Sequence, residues 1–593
     1  MPISDSHYPF PEECPHGWLH TTVGEIVDYI ESGFSCSQHN TQGEGIPHLR
    51  PMNVSPDGDV TLENTLYVPS DAGRNRLQHG DVLFTNTSST VLVGKTASVR
   101  EPGEWAFSNH MTRLRPSDGV ISEFIARQLH YLCLSGYFAF HCTKHINQSS
   151  ISNKQLVQIP FRLAPTNEQE RIANKLGNLL NRELRIRNSL ESLLKLVDTC
   201  RVSILTSACK GTLVTSEAVL AKNENRGYEN ATQLLSRVMK QRQRAWQHQQ
   251  IARFKAAGKE PSDERWIHRY KEPIGSAKSS QRSRLPKGWA WASVDQCGLV
   301  QLGRMRSPKN RPKKHPRRYL RAANITENGL DLRDVMVMDF PPSEFVQYKL
   351  EVGDLLVAEA SGSPLQVGKP VIWRGEIPDC CYQNTVIRLR PIVINPEFLL
   401  VVMQYFYKTG LFAEHSTGTG INHLSADRFI RIPVALPPLR EQRRIVSEVQ
   451  RRFKMLEGLE AAIREGLKQL IDLKASFYYQ AFAGELVPHQ QGAETAATLL
   501  NNIKQGSRQS RPERQRRAPV KKRNERTKMK TLQDVSLSYL SEILREKKGP
   551  LTARALWKES GLVIDDFYAQ LKREMDKSVR ETHDRMLELK DEN

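Results

Sequence analysis

Ile432-Pro433-Val434-Ala435-Leu436-Pro437-Pro438-Leu439-Arg440-Glu441-Gln442-Arg443-Arg444-Ile445 decides the architecture, because it is the second occurrence of one pattern. The first runs from Ile159-Pro160 through Pro165 to Glu168-Gln169 and Arg171-Ile172, with Ala164 where the later copy has Pro437. Outward from this pair the repetition widens to whole modules. Pro15-His16-Gly17-Trp18 returns as Pro286-Lys287-Gly288-Trp289, and Leu49-Arg50-Pro51-Met52-Asn53-Val54 as Leu320-Arg321-Ala322-Ala323-Asn324-Ile325. Gly80-Asp81-Val82-Leu83 returns as Gly353-Asp354-Leu355-Leu356, Arg113-Leu114-Arg115-Pro116 as Arg388-Leu389-Arg390-Pro391, and Gly211-Thr212-Leu213-Val214 as Gly484-Glu485-Leu486-Val487. The offset stays between 271 and 275 and the order never breaks, so the repeat ends at Val487. Two similar modules in one chain suggest two half-sites on one ligand, and DNA is the most obvious ligand of that kind.

Composition narrows the class. A chain of 593 residues is too long for one core and should divide into domains. It has no apolar run of membrane-spanning length and no signal-peptide pattern, which predicts a soluble, cytoplasmic protein without a membrane partner. Nine cysteines occur without a Cys-x-x-Cys pair, and His and Cys never cluster at metal-ligand spacing, so neither structural zinc nor a disulfide framework is expected. The net charge of +20 sits mainly in connecting segments: twelve Lys/Arg against two acids from Lys504 to Lys530, and thirteen against four from Lys240 to Lys287. Within the second module, Arg304 to Arg321 carries nine basic residues and no acid, enough to neutralise several phosphates. The bland reading of that stretch is a solvated loop.

The predicted fold class is α+β: two pseudo-repeated, mostly β domains separated by two long antiparallel coiled-coil helices, plus a small helical C-terminal domain. Turn signals such as Val54-Ser55-Pro56-Asp57-Gly58-Asp59 and Glu101-Pro102-Gly103 punctuate short apolar runs in residues 15–163, and residues 286–437 repeat the plan. Ser152 with Gln155 has capping-box spacing, and Ser425 stands in the equivalent place. Steps of four and three from Ile172 meet Leu176, Leu179, Glu183, Ile186, Leu190, Leu193, Val197, Cys200 and Ile204, nine of ten apolar. From Ile445 they meet Val449, Arg452, Leu456, Leu459, Ile463, Gly466, Leu470, Leu473 and Phe477, eight of ten apolar. Such a period predicts two helices paired with each other, the alternative being two helices packed separately on their modules. The domain boundaries read 1–165, first module; 166–214, first long helix; 215–284, polar linker; 285–438, second module; 439–488, second long helix; 489–530, basic disordered linker; and 531–593, helical extension, in outline like a winged helix.

Catalytic motifs are missing. Gly94-Lys95-Thr96 resembles the end of a phosphate-binding loop, but Ser89 replaces its first glycine, and the second copy reads Gly368-Lys369-Pro370. No Asn/Asp-Pro-Pro-aromatic motif, H-E-x-x-H, G-x-S-x-G or paired carboxylates stand out. Asp81 and Asp354 read as turn residues. The chain should bind and position, with no catalytic residue and no metal of its own.

The segment from Ile432 to Ile445, with its weaker copy, resembles the junction between target-recognition domain and spacer helix in the specificity subunits of type I restriction-modification enzymes. The Pro-x-Gly-Trp openings, the Leu-Arg-x-x-Asn strands and the Gly-Asp turns resemble the same family, over about residues 15–488. The resemblance implies that each module docks in the major groove of one half of a split double-stranded DNA target while the helices act as a ruler. A helix of about 38 residues is roughly 57 Å long, somewhat more than one turn of B-DNA at about 34–36 Å. It further implies two methyltransferase subunits, which bring S-adenosylmethionine, and motor-nuclease subunits using ATP and Mg, while this chain binds no cofactor.

DNA candidates are Arg50, Arg74, Arg76, Lys144 and Lys154 in the first module, and Arg304, Arg306, Lys309, Arg311, Lys313, Lys314, Arg317 and Arg318 in the second. Arg50 has a second reading as a structural strand residue, since Arg321 repeats it. Base reading is expected where the copies diverge: 34–48, 88–92 and 141–150, and 304–318, 361–366 and 416–423. The first module carries 11 Lys/Arg against 16 acids over residues 1–163, so phosphate neutralisation should be unequal. Subunit docking and helix pairing are assigned to Glu168, Gln169, Ile172, Leu176, Leu190, Glu441, Gln442, Ile445, Val449, Leu456 and Ile463. Two rivals stay open: a recognition unit of a different DNA-modifying or nuclease assembly, and a coiled-coil scaffold whose modules bind protein.

Overall fold

The computed structural model describes residues 8–590 apart from 74–75, 101, 146–147, 257, 259–263, 276–283, 307–313, 328, 362–366, 415–421, 491–493, 510–529, 548, 576 and 583–585. Residues 1–503 and 504–593 form separate compact units. In the first unit the two modules share one topology. Runs such as Val82-Leu83-Phe84-Thr85, buried at every position, become central strands. The first module's main sheet has the order Val27–Ser32, Met111–Pro116, Val82–Thr85, Thr96–Ser98; the second repeats it as Gly298–Leu302, Val386–Pro391, Leu355–Ala358, Pro370–Ile372. A three-stranded sheet accompanies each, Leu66–Val68, Ile46–Leu49, Ala106–Phe107 and Met336–Asp339, Pro316–Leu320, Cys381–Tyr382. In both, the last strand pairs parallel with the central one. A two-stranded ribbon, Leu19–Thr22 with Pro160–Leu163 and Ala290–Ser293 with Pro433–Leu436, closes each module just before its long helix starts.

The repeated residues carry this scaffold. Asp81, fully buried, accepts from Arg115 Nε at 2.8 Å and from the backbone N–H of Gln78 at 2.8 Å; Asp354 does the same for Arg390 Nε at 2.7 Å and Glu351 N at 2.8 Å. Lys95, buried, donates to the carbonyls of Pro51 and Val54 and so serves the fold of its own module.

Both long helices span 45 residues, Thr166–Lys210 and Leu439–Ala483, about 67 Å each and longer than the 38 expected. They run antiparallel. Ile172, Leu176 and Leu180 share the first module's core with Tyr478, Ala481 and Phe482, whereas Ile204, Leu205 and Ala208 share the second module's core with Ile445, Val446 and Val449. Midway, a Cβ on Gly466 would lie 3.5 Å from Leu190, and Arg201 meets Glu460 at 2.6 Å. The expected seam is displaced. Inward positions follow Leu176, Leu180, Glu183, Arg187, Leu190, Leu194, Val197, Arg201, Ile204 and Ala208, while Ile186 and Leu193 are exposed. The second helix mirrors this with Val449, Phe453, Leu456, Glu460, Ile463, Leu467, Leu470 and Lys474 inward and Leu459 and Leu473 exposed.

Glu168, Gln169, Glu441 and Gln442 require a correction as docking residues: all four are buried within this chain. Trp18 Nε1 donates to Glu168 Oε1 at 3.0 Å and Trp289 Nε1 to Glu441 Oε1 at 2.9 Å. Gln169 accepts from Ile121 N at 2.9 Å and donates to Ala164 O at 2.8 Å; Gln442 accepts from Asn395 N at 3.0 Å and donates to Pro437 O at 2.9 Å. Each glutamine thus ties the start of a long helix to the helix-bearing loop of its module. Gln442→Leu is expected to orphan one buried and one part-buried backbone group, at about 1–3 kcal/mol for the buried one, read as a lower urea midpoint. An unchanged midpoint with loss of partner binding would restore the docking assignment.

The repeat also passes Val487. After the first long helix the chain forms the helix Ala231–Ala256, and Ala231 N donates to Gly288 O at 2.9 Å; after the second it forms Ala496–Gln509, and Ala496 N donates to Gly17 O at 2.9 Å. Leu234 thereby enters the core of the second module, and Leu499 and Leu500 enter the core of the first. The 489–530 segment expected to be disordered thus begins with a packed helix, because its apolar face has a core to join. The extension beyond it is not wholly helical: helices Tyr539–Lys547, Ala553–Ser560 and Ile564–Glu574 pack around Leu540, Leu556 and Phe567 with a three-stranded sheet of Leu551–Thr552, Met586–Leu589 and Val579–Glu581. Along the chain these elements follow in the order helix, strand, helix, helix, strand, strand.

Candidate nucleic-acid interface

The divergent segments of the first module converge at one place, and the described ends of the second module's segments are paired in the same way. In the first, Thr87–Ser88 pairs with Ser149–Ser150, which pairs with Thr143–Lys144, so 88–92 and 141–150 lie side by side; Thr90 Oγ1 and Ser149 Oγ are 2.7 Å apart. The turn 108–111 joins the third segment to them, since Phe34 N donates to Phe107 O, Asn109 N to Phe34 O, and Thr87 N to His110 O. In the second, Ala360–Ser361 pairs with Asn422–His423, Asn384 N donates to Arg304 O and Glu359 N donates to Thr385 O, while 362–366 and 416–421 of the expected base-reading segments lie outside the described residues. Equivalent backbone bonds thus support segments whose sequences differ.

Sequence reasoning missed the polar network beneath these loops. Asn86, buried, donates to Thr112 Oγ1 at 2.9 Å and to Asn109 O at 3.2 Å, and Thr87 Oγ1 donates to Asn86 Oδ1 at 2.8 Å. Its only sequence signal is a polar run closing an otherwise apolar strand. The loop above carries Val91, 78% exposed, beside Thr90.

The predicted cations divide into three groups. Arg74, Lys309, Arg311 and Lys313 lie outside the described residues. Lys144, Lys154, Arg306, Lys314 and Arg318 are exposed. The rest are held by their own module: Arg50 donates to Asn64 O at 3.1 Å, Arg76 to Ser70 O at 2.8 Å, Arg304 pairs with Glu344 at 2.5 Å, and the Arg317 guanidinium lies 4.8 Å from the Phe345 ring centre. Arg50 and Arg304 therefore have a structural role in their own modules; Arg321 repeats the first by pairing with Asp334. Arg317 and Arg318 stand on the strand Pro316–Leu320, so that part of the expected basic loop is regular structure.

The arrangement can hydrogen-bond and neutralise charge. Burial pushes the thiols of Cys133, Cys297 and Cys380 up to about 12, which keeps them protonated. Among the described residues no group of three His, Cys, Asp or Glu side chains is placed to hold a metal ion.

Comparison with known proteins agrees with this geometry. Residues 15–195 and 309–469 match the family described as type I restriction modification DNA specificity domain. The chain is 22% identical over 519 residues to the type I restriction enzyme StySPI specificity subunit of Salmonella potsdam, covering 83% of this chain and 96% of that one. It is likewise 22% identical over 519 residues to the EcoKI specificity subunit of Escherichia coli (strain K12), with the same coverage. A solved structure concerning complex assembly and conformational transition of the type I R-M system is similar in fold, with a TM-score of 0.54 at 16% identity, over 80% of this chain and 100% of that one. No helix among the described residues is long and apolar enough to cross a membrane. The two family matches fall one on each half of the repeat, and the chain belongs to the type I restriction-modification specificity subunits.

Proposed function

We propose that each module reads one half of a split double-stranded DNA sequence, with the paired helices acting as a coiled-coil ruler that sets the gap. One observation carries this reading: two modules with the same main-sheet topology carry sequences that differ at equivalent places on that scaffold. A scaffold for one repeated protein ligand would have kept the loops alike. On half-sites separated by about one helical turn, the phosphates would be met unequally, mostly by the exposed Lys314, Arg318 and Arg306 of the second module.

Partner docking belongs to the outward faces of the long helices. Ile186 and Leu459 are equivalent positions, 50% and 47% exposed, and two equivalent apolar spots suit two copies of one partner. Those partners would be methyltransferase subunits carrying S-adenosylmethionine, joined by motor-nuclease subunits using ATP and Mg, with this chain as the non-catalytic member of a cytoplasmic complex. Exchanging residues 15–163 for another such module is expected to change one half of the methylated sequence, mapped in a host genome, and leave the other half intact. A change in both halves, or in neither, would remove the modular reading.

A further inference from the structure

The repeat supplies an internal control for one buried cation. In the first module Arg113 is 6% exposed and its guanidinium pairs at 2.7 Å with Glu31, which stands opposite it on the neighbouring strand. In the second module Arg388 holds the same position, 1% exposed, but the residue opposite is Gln301. Its guanidinium is held by neutral acceptors: Gln301 Oε1 at 3.0 Å, Gln347 O at 3.2 Å and Lys349 O at 3.3 Å. Among the described residues no carboxylate lies within ion-pair distance of it. A buried charge without a counter-charge is costly, and one copy of this chain avoids that cost while the other does not.

Arg388 lines a cavity of about 320 Å³ between the second module and the helix Ala231–Ala256. Arg242, Arg253, Arg269 and Lys271 also line it, and none of its lining residues is acidic. Asp295 meets the Arg242 charge at 2.6 Å, but Arg253 and Arg269 have no ion-pair partner among the described residues. Trp246 and Tyr270 form an aromatic wall, ring centres 5.5 Å apart at 60°. Guanidinium groups match phosphate oxygens, aromatic faces stack bases, and the volume is of the order that suits a small ligand.

We propose that this cavity is an anion site that takes the phosphate of a nucleotide, free or within a DNA strand. The site stands on the cavity alone and does not depend on how the modules read sequence. Calorimetric titration of the full chain with ADP, inorganic pyrophosphate and adenosine tests the free nucleotide; anisotropy with a duplex, over a range of salt, tests the DNA strand. Two variants accompany the parent: Gln301→Glu, which recreates the first module's ion pair inside the site, and Arg253→Ala/Arg269→Ala at its mouth.

Saturable binding of ADP and pyrophosphate but not adenosine, weakened at least tenfold by both variants, assigns a free nucleotide. No ADP binding, with duplex affinity lowered by both variants and the salt slope reduced by about 1 for each phosphate no longer neutralised, assigns a DNA phosphate. Absence of any binding difference between parent and variants overturns the site, and so does an effect confined to binding of a partner protein. Duplex binding by the parent chain reports separately on the DNA-recognition reading.

Discussion

Lengthening both long helices by one heptad, beside Leu190 in the first and beside Gly466 in the second, is expected to abolish joint recognition of the original DNA target. These two positions face each other midway along the antiparallel pair, so a matched insertion preserves the seam on either side. An insertion in one helix alone would instead put the two helices out of register by a heptad, separating either Arg201 from Glu460 or Lys474 from Asp57, pairs held at 2.6 and 2.5 Å. Seven residues add about 10 Å, close to three base pairs at about 3.4 Å each. The added heptad turns one module by only about 20° relative to the other, whereas three base pairs turn the duplex by about 100°. Both modules then cannot seat on the original half-sites together. Without the second, intramolecular engagement, affinity falls by a factor of about 10²–10⁴. Anisotropy titrations should show the lengthened chain binding the full target no more tightly than a duplex with one half-site. Undiminished affinity for the original gap would mean that the helices do not set the spacing.

The duplication was legible because the repeated residues do repeated structural work. Gly17 and Gly288, at φ +83° and +91°, each turn the chain ahead of a tryptophan whose indole N–H meets a buried glutamate. That partnership explains why Glu168 and Glu441 were misread: a repeated acid at a helix start looks like a surface feature until the tryptophan some 150 residues away covers it. The seam was misplaced because two heptad tracks are apolar. Ile186 and Leu193 fit the period but face outward, while Arg187 and Arg201 lie inward, satisfied by Asp57 and Glu460. Ala231 to Leu235 and Ala496 to Leu500 escaped detection because the offset falls there from 273 to 265. Only the backbone bonds to Gly288 and Gly17 reveal them as equivalent. Divergence pointed to the loops that converge, but chain separation hid the strand pairing that brings 88–92 beside 141–150.

The same internal comparison predicts that the first module is the acid-labile one. His130, fully buried in the helix Ser122–Leu134, donates from Nε2 to Pro56 O at 3.1 Å and accepts at Nδ1 from Thr96 N at 3.4 Å. Only the neutral ring satisfies both partners, because a second proton on Nδ1 would face the Thr96 N–H. Burial, reinforced by the nearby Arg127 and Lys474 charges, holds its pKa down to about 3 from the ordinary 6.5. Below pH 6.5 the unfolded chain therefore takes up a proton that the folded chain refuses until about pH 3. The stability from this group is complete above the unfolded pKa and falls by about 1.4 kcal/mol per pH unit inside that window, roughly 2 kcal/mol by pH 5. The site matters to assembly of the modules, since a Cβ on Gly58 would lie 2.8 Å from the His130 ring, in the turn whose Asp57 clamps both long helices. The equivalent position in the helix Pro396–Lys408 of the second module is Gln404, whose amide does not titrate. His130→Gln keeps one donor and one acceptor and is expected to lose about 2 kcal/mol less than the parent chain between pH 7.5 and pH 5, measured as urea midpoints at the two pH values. Equal losses in parent and variant would place the acid sensitivity elsewhere.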